Sequence, residues 1–468
     1  MGTPTPRTVV ASPSSTAAGS PTPMELLRSR GYIALLILGA AVGVPVAIVA
    51  YFYLEAVSKA QRFFLTDLPH DLGFAGTPVW WPIPMVAVGG LLVGLSLRYL
   101  PGTGGHNPAE GFVAGPTVSA RDMPGVAAAS LATLAFGAVL GPEAPLVLIG
   151  SGLAVLIARL VKRDAPAKAL VIVGAAGSFA AISTLLISPL AGAFLLLEAV
   201  GVGGSMVSVV LAPGLLAAGI GALIFVGLNH ITGFGTFSLA VPNIPVLGTP
   251  TVGEFGWAIA IGLAAGVLGT AIRRLAFQIQ PYVSRRTLLA TPVAGLVVGG
   301  LAALFAAVTD KGPEQVLFSG QTALPPLIQQ AGAWSVGELL LLVACKSLAY
   351  SVSLSSFRGG PTFPGMFIGA AGGLALSHLA GLPLTAGVGM GVGAMTVVML
   401  GGLPLTAVLL TLLFLQAEAV NLISVVIVAV VVAWVTAARL SPWSRPRPPA
   451  ATHGGRAADP STADRHNP

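Results

Sequence analysis

Residues 33–54, 79–97, 169–197, 199–229, 255–272, 287–308 and 364–415 carry no Asp, Glu, Lys or Arg. Nothing else in the chain limits its fold so severely. A run of about 20 apolar residues crosses the hydrocarbon core as a helix, and a backbone surrounded by lipid has to satisfy its own N–H and C=O groups. Hydrophobic residues make up 55% of the chain and charged residues only 8%, whereas a soluble domain carries about 25% charged residues. The mean hydropathy is +0.89. These values specify an all-α polytopic protein, integral to a lipid bilayer and crossing it many times.

The apolar runs are interrupted in a patterned way. The 60 Gly and 37 Pro residues fall largely inside hydrophobic segments, where small residues let helices approach closely and prolines break them around cavities. The run 169–197 is long enough to fold back near Pro189, and about ten to eighteen tilted, short or re-entrant helical pieces fit the whole. Two proline-bracketed clusters stand out, Gly141-Pro142-Glu143-Ala144-Pro145 and Gly359-Gly360-Pro361-Thr362-Phe363-Pro364. Ile149-Gly150 follows the first and Ile368-Gly369 the second at the same offset, and Ser188-Pro189-Leu190 is echoed by Leu403-Pro404-Leu405. Paired breaks in corresponding halves predict two inverted-topology halves, about 30–230 and 254–440, with a binding site between them near the bilayer midplane.

The net charge of +7 does not indicate a nucleic-acid partner, because the basic residues sit at the ends of apolar runs. Arg28 and Arg30 precede the first run, Arg273, Arg274, Arg285 and Arg286 fill one connection, and Arg439, Arg445 and Arg447 follow the last. Positive-inside bias then places both termini in the cytoplasm, in what is expected to be a bacterial plasma membrane. Residues 1–24 and 441–468, rich in Ser, Thr, Pro and charged groups, read as disordered tails around a transport unit of 25–440, with no appended regulatory domain. The single Cys345 excludes an internal disulfide and a thiolate metal cluster. No cofactor or metal is expected.

Ionisable groups inside apolar segments are few: Glu143, Glu198, Lys346 and Glu418. Each is a functional candidate because a buried charge is costly. Glu143 opens a helix after a proline, where free N–H groups and the helix dipole attract anions. An ionised Glu143 seated there competes with an anion for the same donors, which makes a protonatable gate; the plainer alternative is a simple helix cap. Thr362 and Phe363 offer backbone N–H groups from the opposite half. Thr103 and Gly104 lie in a third element, Gly102-Thr103-Gly104-Gly105-His106-Asn107-Pro108, whose glycines permit close approach and whose Thr103 hydroxyl can donate to an anion; otherwise it is an ordinary loop. His106 has no second His at metal-ligand spacing. Glu198 either serves a proton path or ties helices together, and Lys346 either raises the potential of an anion path or pairs with a nearby acid.

In order and spacing these clusters resemble the CLC family of chloride channels and chloride/proton antiporters over residues 30 to 440. The family's G-S-G-I-P, G-(K/R)-E-G-P and G-x-F-x-P motifs are matched by Gly102-Thr103-Gly104, Gly141-Pro142-Glu143-Ala144-Pro145 and Gly360-Pro361-Thr362-Phe363-Pro364. The resemblance implies a homodimer with one pore per subunit, Glu143 as the gate, and an anion held by Thr103, Gly104 and the amides of Ala144, Thr362 and Phe363. The departures are specific. Pro142 and Pro361 replace residues that carry N–H groups, the Phe of the third motif comes one residue late, and the family's late pore Tyr has no counterpart. The acidic pair that moves protons in the antiporters reads Glu198-Ala199 here, as in the channel branch.

Transport of chloride or a similar small monovalent anion is therefore the leading function, with channel-like passage and proton-coupled antiport both open. A cation-coupled solute transporter with broken helices is the alternative, although its breaks should present carbonyl or carboxylate ligands. An intramembrane enzyme is disfavoured, because no Ser/His pair, paired Asp or His-Glu-x-x-His motif lies in the apolar segments.

Overall fold

The Ile-Gly echo marks matching helix crossings. In the computed structural model, which describes residues 25, 28–112, 119–200, 206–234 and 249–440, a Cβ on Gly150 would sit 2.6 Å from the Gly177 carbonyl oxygen, and one on Gly369 would sit 2.1 Å from that of Gly391. Backbone meets backbone at both places, so only glycine fits. The tails 1–24 and 441–468 lie outside the described residues.

Fourteen helices of ten or more residues appear among the described residues, seven in each half. The first half holds α1 (Arg30–Arg62), α2 (Pro82–Tyr99), α3 (Met123–Ala135), α4 (Glu143–Val161), α5 (Ala167–Leu186), α6 (Pro189–Val200) and α7 (Met206–Thr232). The second holds α8 (Val252–Arg285), α9 (Thr287–Thr309), α10 (Val336–Ser356), α11 (Thr362–Leu376), α12 (Leu384–Met399), α13 (Pro404–Leu415) and α14 (Ala419–Leu440). Nine helices among the described residues are long and apolar enough to cross a membrane, and α3, α6, α11, α12 and α13 are shorter apolar pieces.

Packing repeats between the halves. Helix α1 lies on α7 as α8 lies on α14, α4 on α5 as α11 on α12, and α5 on α7 as α12 on α14. Two pairs join a helix to its own counterpart, α2 with α9 and α6 with α13, which is the pattern two inverted halves produce about a common axis. The breaks repeat too. Helix α5 stops at Leu186, Ile187 adopts a left-handed φ of 51°, and α6 restarts at Pro189. In the second half Gly401 and Gly402, at φ of 90° and 87°, separate α12 from Pro404 of α13.

Helices α4, α5, α11 and α12 form the centre. Every residue of α12 from Thr385 to Met399 is buried, whereas the outer helices keep large apolar residues such as Leu223, Val267 and Leu289 exposed, at 72%, 55% and 70%, as lipid-facing surfaces do.

Candidate functional site

Helices α4 and α11 begin at the same place in the molecular interior. Their N-caps are Pro142 (φ −84°, ψ −2°) and Pro361 (φ −91°, ψ −5°), nearly identical in conformation. Just before them the two chains form an isolated antiparallel bridge: Gly141 N–H donates to the Gly360 carbonyl at 2.8 Å, and Gly360 N–H donates to the Gly141 carbonyl at 2.6 Å. The proline clusters are thus brought together, with the positive ends of two helices converging.

Glu143 sits at that convergence, fully buried. Its Oε1 accepts hydrogen bonds from Thr362 N–H at 2.9 Å and Phe363 N–H at 3.0 Å. These are the two amides that the sequence marks as donors. The second oxygen, Oε2, makes no hydrogen bond among the described residues, and neither does the buried Thr362 hydroxyl beside it. Oε1 thus carries both amide hydrogen bonds from the opposite half, with the Thr362 hydroxyl and the Glu143 backbone N–H close enough to act on the carboxyl. Oε2 rests against the bridge glycines, since a Cβ on Gly141 or Gly360 would lie 2.1 or 2.0 Å from it. Ala144 joins the cluster through its backbone nitrogen, 3.2 Å from that same Gly360 position.

Thr103 and Gly104 stand apart from this cradle. They belong to a turn in which Gly102, Thr103, Gly104 and Gly105 all have positive φ, of 88°, 49°, 69° and 91°, and Thr103 is exposed. Among the described residues no hydrogen bond joins either one to Glu143; their link is Arg358, whose Nε donates to the Thr103 carbonyl at 3.3 Å. Burial lowers the Arg358 guanidinium to about 10 and nearby Glu110 raises it, so it remains charged at neutral pH. His106 Nε2 lies 3.0 Å from Glu110 Oε2, and among the described residues no three His, Cys, Asp or Glu side chains gather as a metal site.

Glu198 reaches across the halves to the first turn of α13. Its Oε1 accepts from Leu405 N–H at 3.1 Å, and its Oε2 accepts from Thr406 N–H at 2.7 Å and the Thr406 hydroxyl at 2.6 Å. Lys346 departs from the expected pairing with an acid. Its ammonium donates to the carbonyls of Gln315, Val316 and Leu317 at 2.9, 3.0 and 3.1 Å and lies 4.3 Å from the Phe367 ring centroid. All three donors are thereby used on backbone. Glu418 accepts from the Asn421 side-chain amide at 3.1 Å.

Two further residues belong to the site. Tyr350 is fully buried, donates its hydroxyl to the Pro361 carbonyl at 2.5 Å, and lies within electrostatic reach of Glu143 and Arg273. Neither is among the residues that the sequence singles out: Arg358 carries one local signal, as the one charge between an uncharged stretch of α10 and the Gly359-Gly360 pair, and Tyr350 carries none.

Residues 89–438 match the voltage-gated chloride channel family. The chain belongs to that family. Among its relatives, YfeO of Escherichia coli O7:K1, a protein named for ion transport, is 29% identical over 363 residues, 76% of this chain and 82% of that protein. YfeO of Salmonella schwarzengrund is 28% identical over the same length. Two solved structures share the fold of this chloride-channel family member. A slow cyanobacterial Cl−/H+ antiporter superposes with a TM-score of 0.69 at 20% identity, covering 87% of this chain and 94% of that one. A CLC-type fluoride/proton antiporter gives 0.66 at 21% identity, covering 88% and 97%.

Proposed function

We propose that this chain carries chloride or a similar small monovalent anion across the membrane, with Glu143 as a protonatable gate. The observation that carries the reading is the pair of hydrogen bonds from Thr362 and Phe363 N–H to Glu143 Oε1. A carboxylate on those amides holds the place of a permeating anion, because both are anionic acceptors that need the same donors. An anion enters when the carboxylate swings away, and a proton on Glu143 favours that departure because a neutral acid competes less well for N–H donors. The unit proposed for this work is residues 25–440, with Thr103, Gly104 and Ala144 along the path and one pathway in each subunit of a homodimer.

Anion flux from proteoliposomes tests the reading. The unaltered protein is expected to show flux that rises as pH falls, and Glu143→Gln flux that no longer follows pH. A variant that tracks pH like its parent removes Glu143 from the gate, and a cation-selective current removes the anion reading.

Proton-coupled exchange is the second reading, supported by the Cl−/H+ and fluoride/proton antiporters among the structural relatives. Glu198 is the acid proposed for a proton route, although its three hydrogen bonds to α13 favour a tethering role. The reversal potential under opposed anion and proton gradients separates the two: a value set by the anion alone means uncoupled passage.

A further inference from the structure

Helix α10 carries Lys346, Tyr350 and Ser353 on one face, at the i, i+4, i+7 spacing of a helical stripe. Each of the three engages backbone rather than another side chain. Lys346 holds the carbonyls of Gln315, Val316 and Leu317, and the next residue, Phe318, donates its N–H to the Gly137 carbonyl at 3.2 Å. Ser353 accepts the Val139 N–H on its hydroxyl at 3.0 Å. Tyr350, fully buried, donates its hydroxyl to the Pro361 carbonyl at 2.5 Å. The stripe thus grips the chain just before the bridge glycine Gly141 and, through Tyr350, the cap that opens α11.

The Tyr350 contact reaches the seat through a single peptide group. The Pro361 carbonyl and the Thr362 N–H are the two ends of one planar unit, and that N–H donates to Glu143 Oε1 at 2.9 Å. Fixing the direction of the carbonyl therefore fixes the direction of the N–H. The bonds also polarise in one sense, from hydroxyl to carbonyl and from amide to carboxylate, and each bond in such a chain strengthens its neighbour by about 10–30%. Local anchors are missing here: Pro361 has no N–H of its own, and no side chain caps α11. At the matching start of α4, the Pro142 carbonyl receives the Leu146 N–H at 3.0 Å instead.

We propose that Tyr350 is a positioning residue of the gate. Its hydroxyl orients and polarises the peptide between Pro361 and Thr362, and so sets how strongly the Thr362 N–H holds either the Glu143 carboxylate or a small monovalent anion. The inference rests on the anion-transport reading above and deepens it, because it assigns the strength of the seat to a side chain one peptide away from the occupant.

Chloride flux from proteoliposomes, read as apparent KM, tests this in two backgrounds. In Glu143→Gln no carboxylate competes for the amide, and adding Tyr350→Phe is expected to raise KM about threefold with little change in maximal rate. In the parent the same substitution raises KM less, because it loosens the carboxylate as well as the anion. Fluorotyrosine at position 350, a stronger hydroxyl donor of nearly the same shape, moves KM the other way, down by about twofold. A Tyr350 that only fills space gives equal changes in both backgrounds and no opposed sign for fluorotyrosine. An unchanged KM for Tyr350→Phe in Glu143→Gln, equal changes in both backgrounds, or a KM unmoved or raised by fluorotyrosine overturns the positioning role while the transport reading stands. Fluorotyrosine keeps the hydroxyl and the ring, so its result decides the matter even where Tyr350→Phe fails to fold. Absence of chloride flux in the unaltered protein overturns both.

Discussion

Glu143 and Glu198 both reach from the first half of the chain to accept hydrogen bonds from the first turn of a second-half helix, α11 in one case and α13 in the other, yet they are held in different ways. Glu198 has both oxygens engaged, by two amides and a hydroxyl, and sits in the last turn of its own helix, where a negative charge is unfavourable unless another helix start offsets it. Glu143 is buried deeper, takes both amide bonds on one oxygen, and lays the other against two glycines. The same capping chemistry thus gives three hydrogen bonds from α13 at Glu198 and two amide hydrogen bonds from α11 at Glu143, and the proposed gate needs the looser of the two.

Removing a donor from the seat breaks the comparison most directly. Thr362→Pro deletes one cradle N–H and also pushes Pro361, at ψ −5°, towards extended backbone, so both effects act against the seat. Hydrogen bonds to charged groups contribute about 1.5–3 kcal/mol, so the apparent KM for the anion is expected to rise about tenfold or more, read from flux against concentration. A smaller change comes from Gly360→Ala. Its Cβ would lie 2.0 Å from Glu143 Oε2, which expels the carboxylate and should raise flux at neutral and alkaline pH towards the acidic level. Flux that remains low at high pH would mean that the carboxylate finds another seat. The smallest transport effect belongs to Glu198→Gln, which is expected to lower stability by about 1–2 kcal/mol through loss of a charge-assisted cap. Thermal unfolding in detergent reads that loss. Its flux keeps the parental pH response; a lost response would transfer Glu198 to the proton route and dissolve the contrast.

The membrane-helical fold and its halves are legible in the sequence because uncharged runs and repeated Pro and Gly breaks are local signals. The cradle is legible for a related reason: Glu143 and the amides of Thr362 and Phe363 each begin a helix after a proline, and paired helix starts in inverted halves converge. The Ile-Gly echo needed the structure to become meaningful, as Gly150 and Gly369 have their partners in α5 and α12. Lys346 shows where sequence reasoning fails. Its partners are backbone carbonyls at 315–317, and carbonyls have no residue-type signature. The same holds for Tyr350 on the Pro361 carbonyl and for Arg358 on that of Thr103. Glu198 meets Leu405 from 207 residues away, a pairing that only the approach of α6 to α13 creates.

The bridge between Gly141 and Gly360 also bears on how the protein is made. Glu143 leaves the ribosome 219 residues ahead of Thr362, so during synthesis the first half enters the lipid with its most buried acid lacking the amides that will receive it. Closing the bridge joins the halves at the place where Glu143 meets those amides. Translation arrested between α4 and α11 should accordingly leave Glu143 open to a carbodiimide reagent that the completed chain resists. Protection appearing before residue 362 has been made would show that the first half shelters the acid unaided. On the proposed gating role, the same closure would set the seal against leakage.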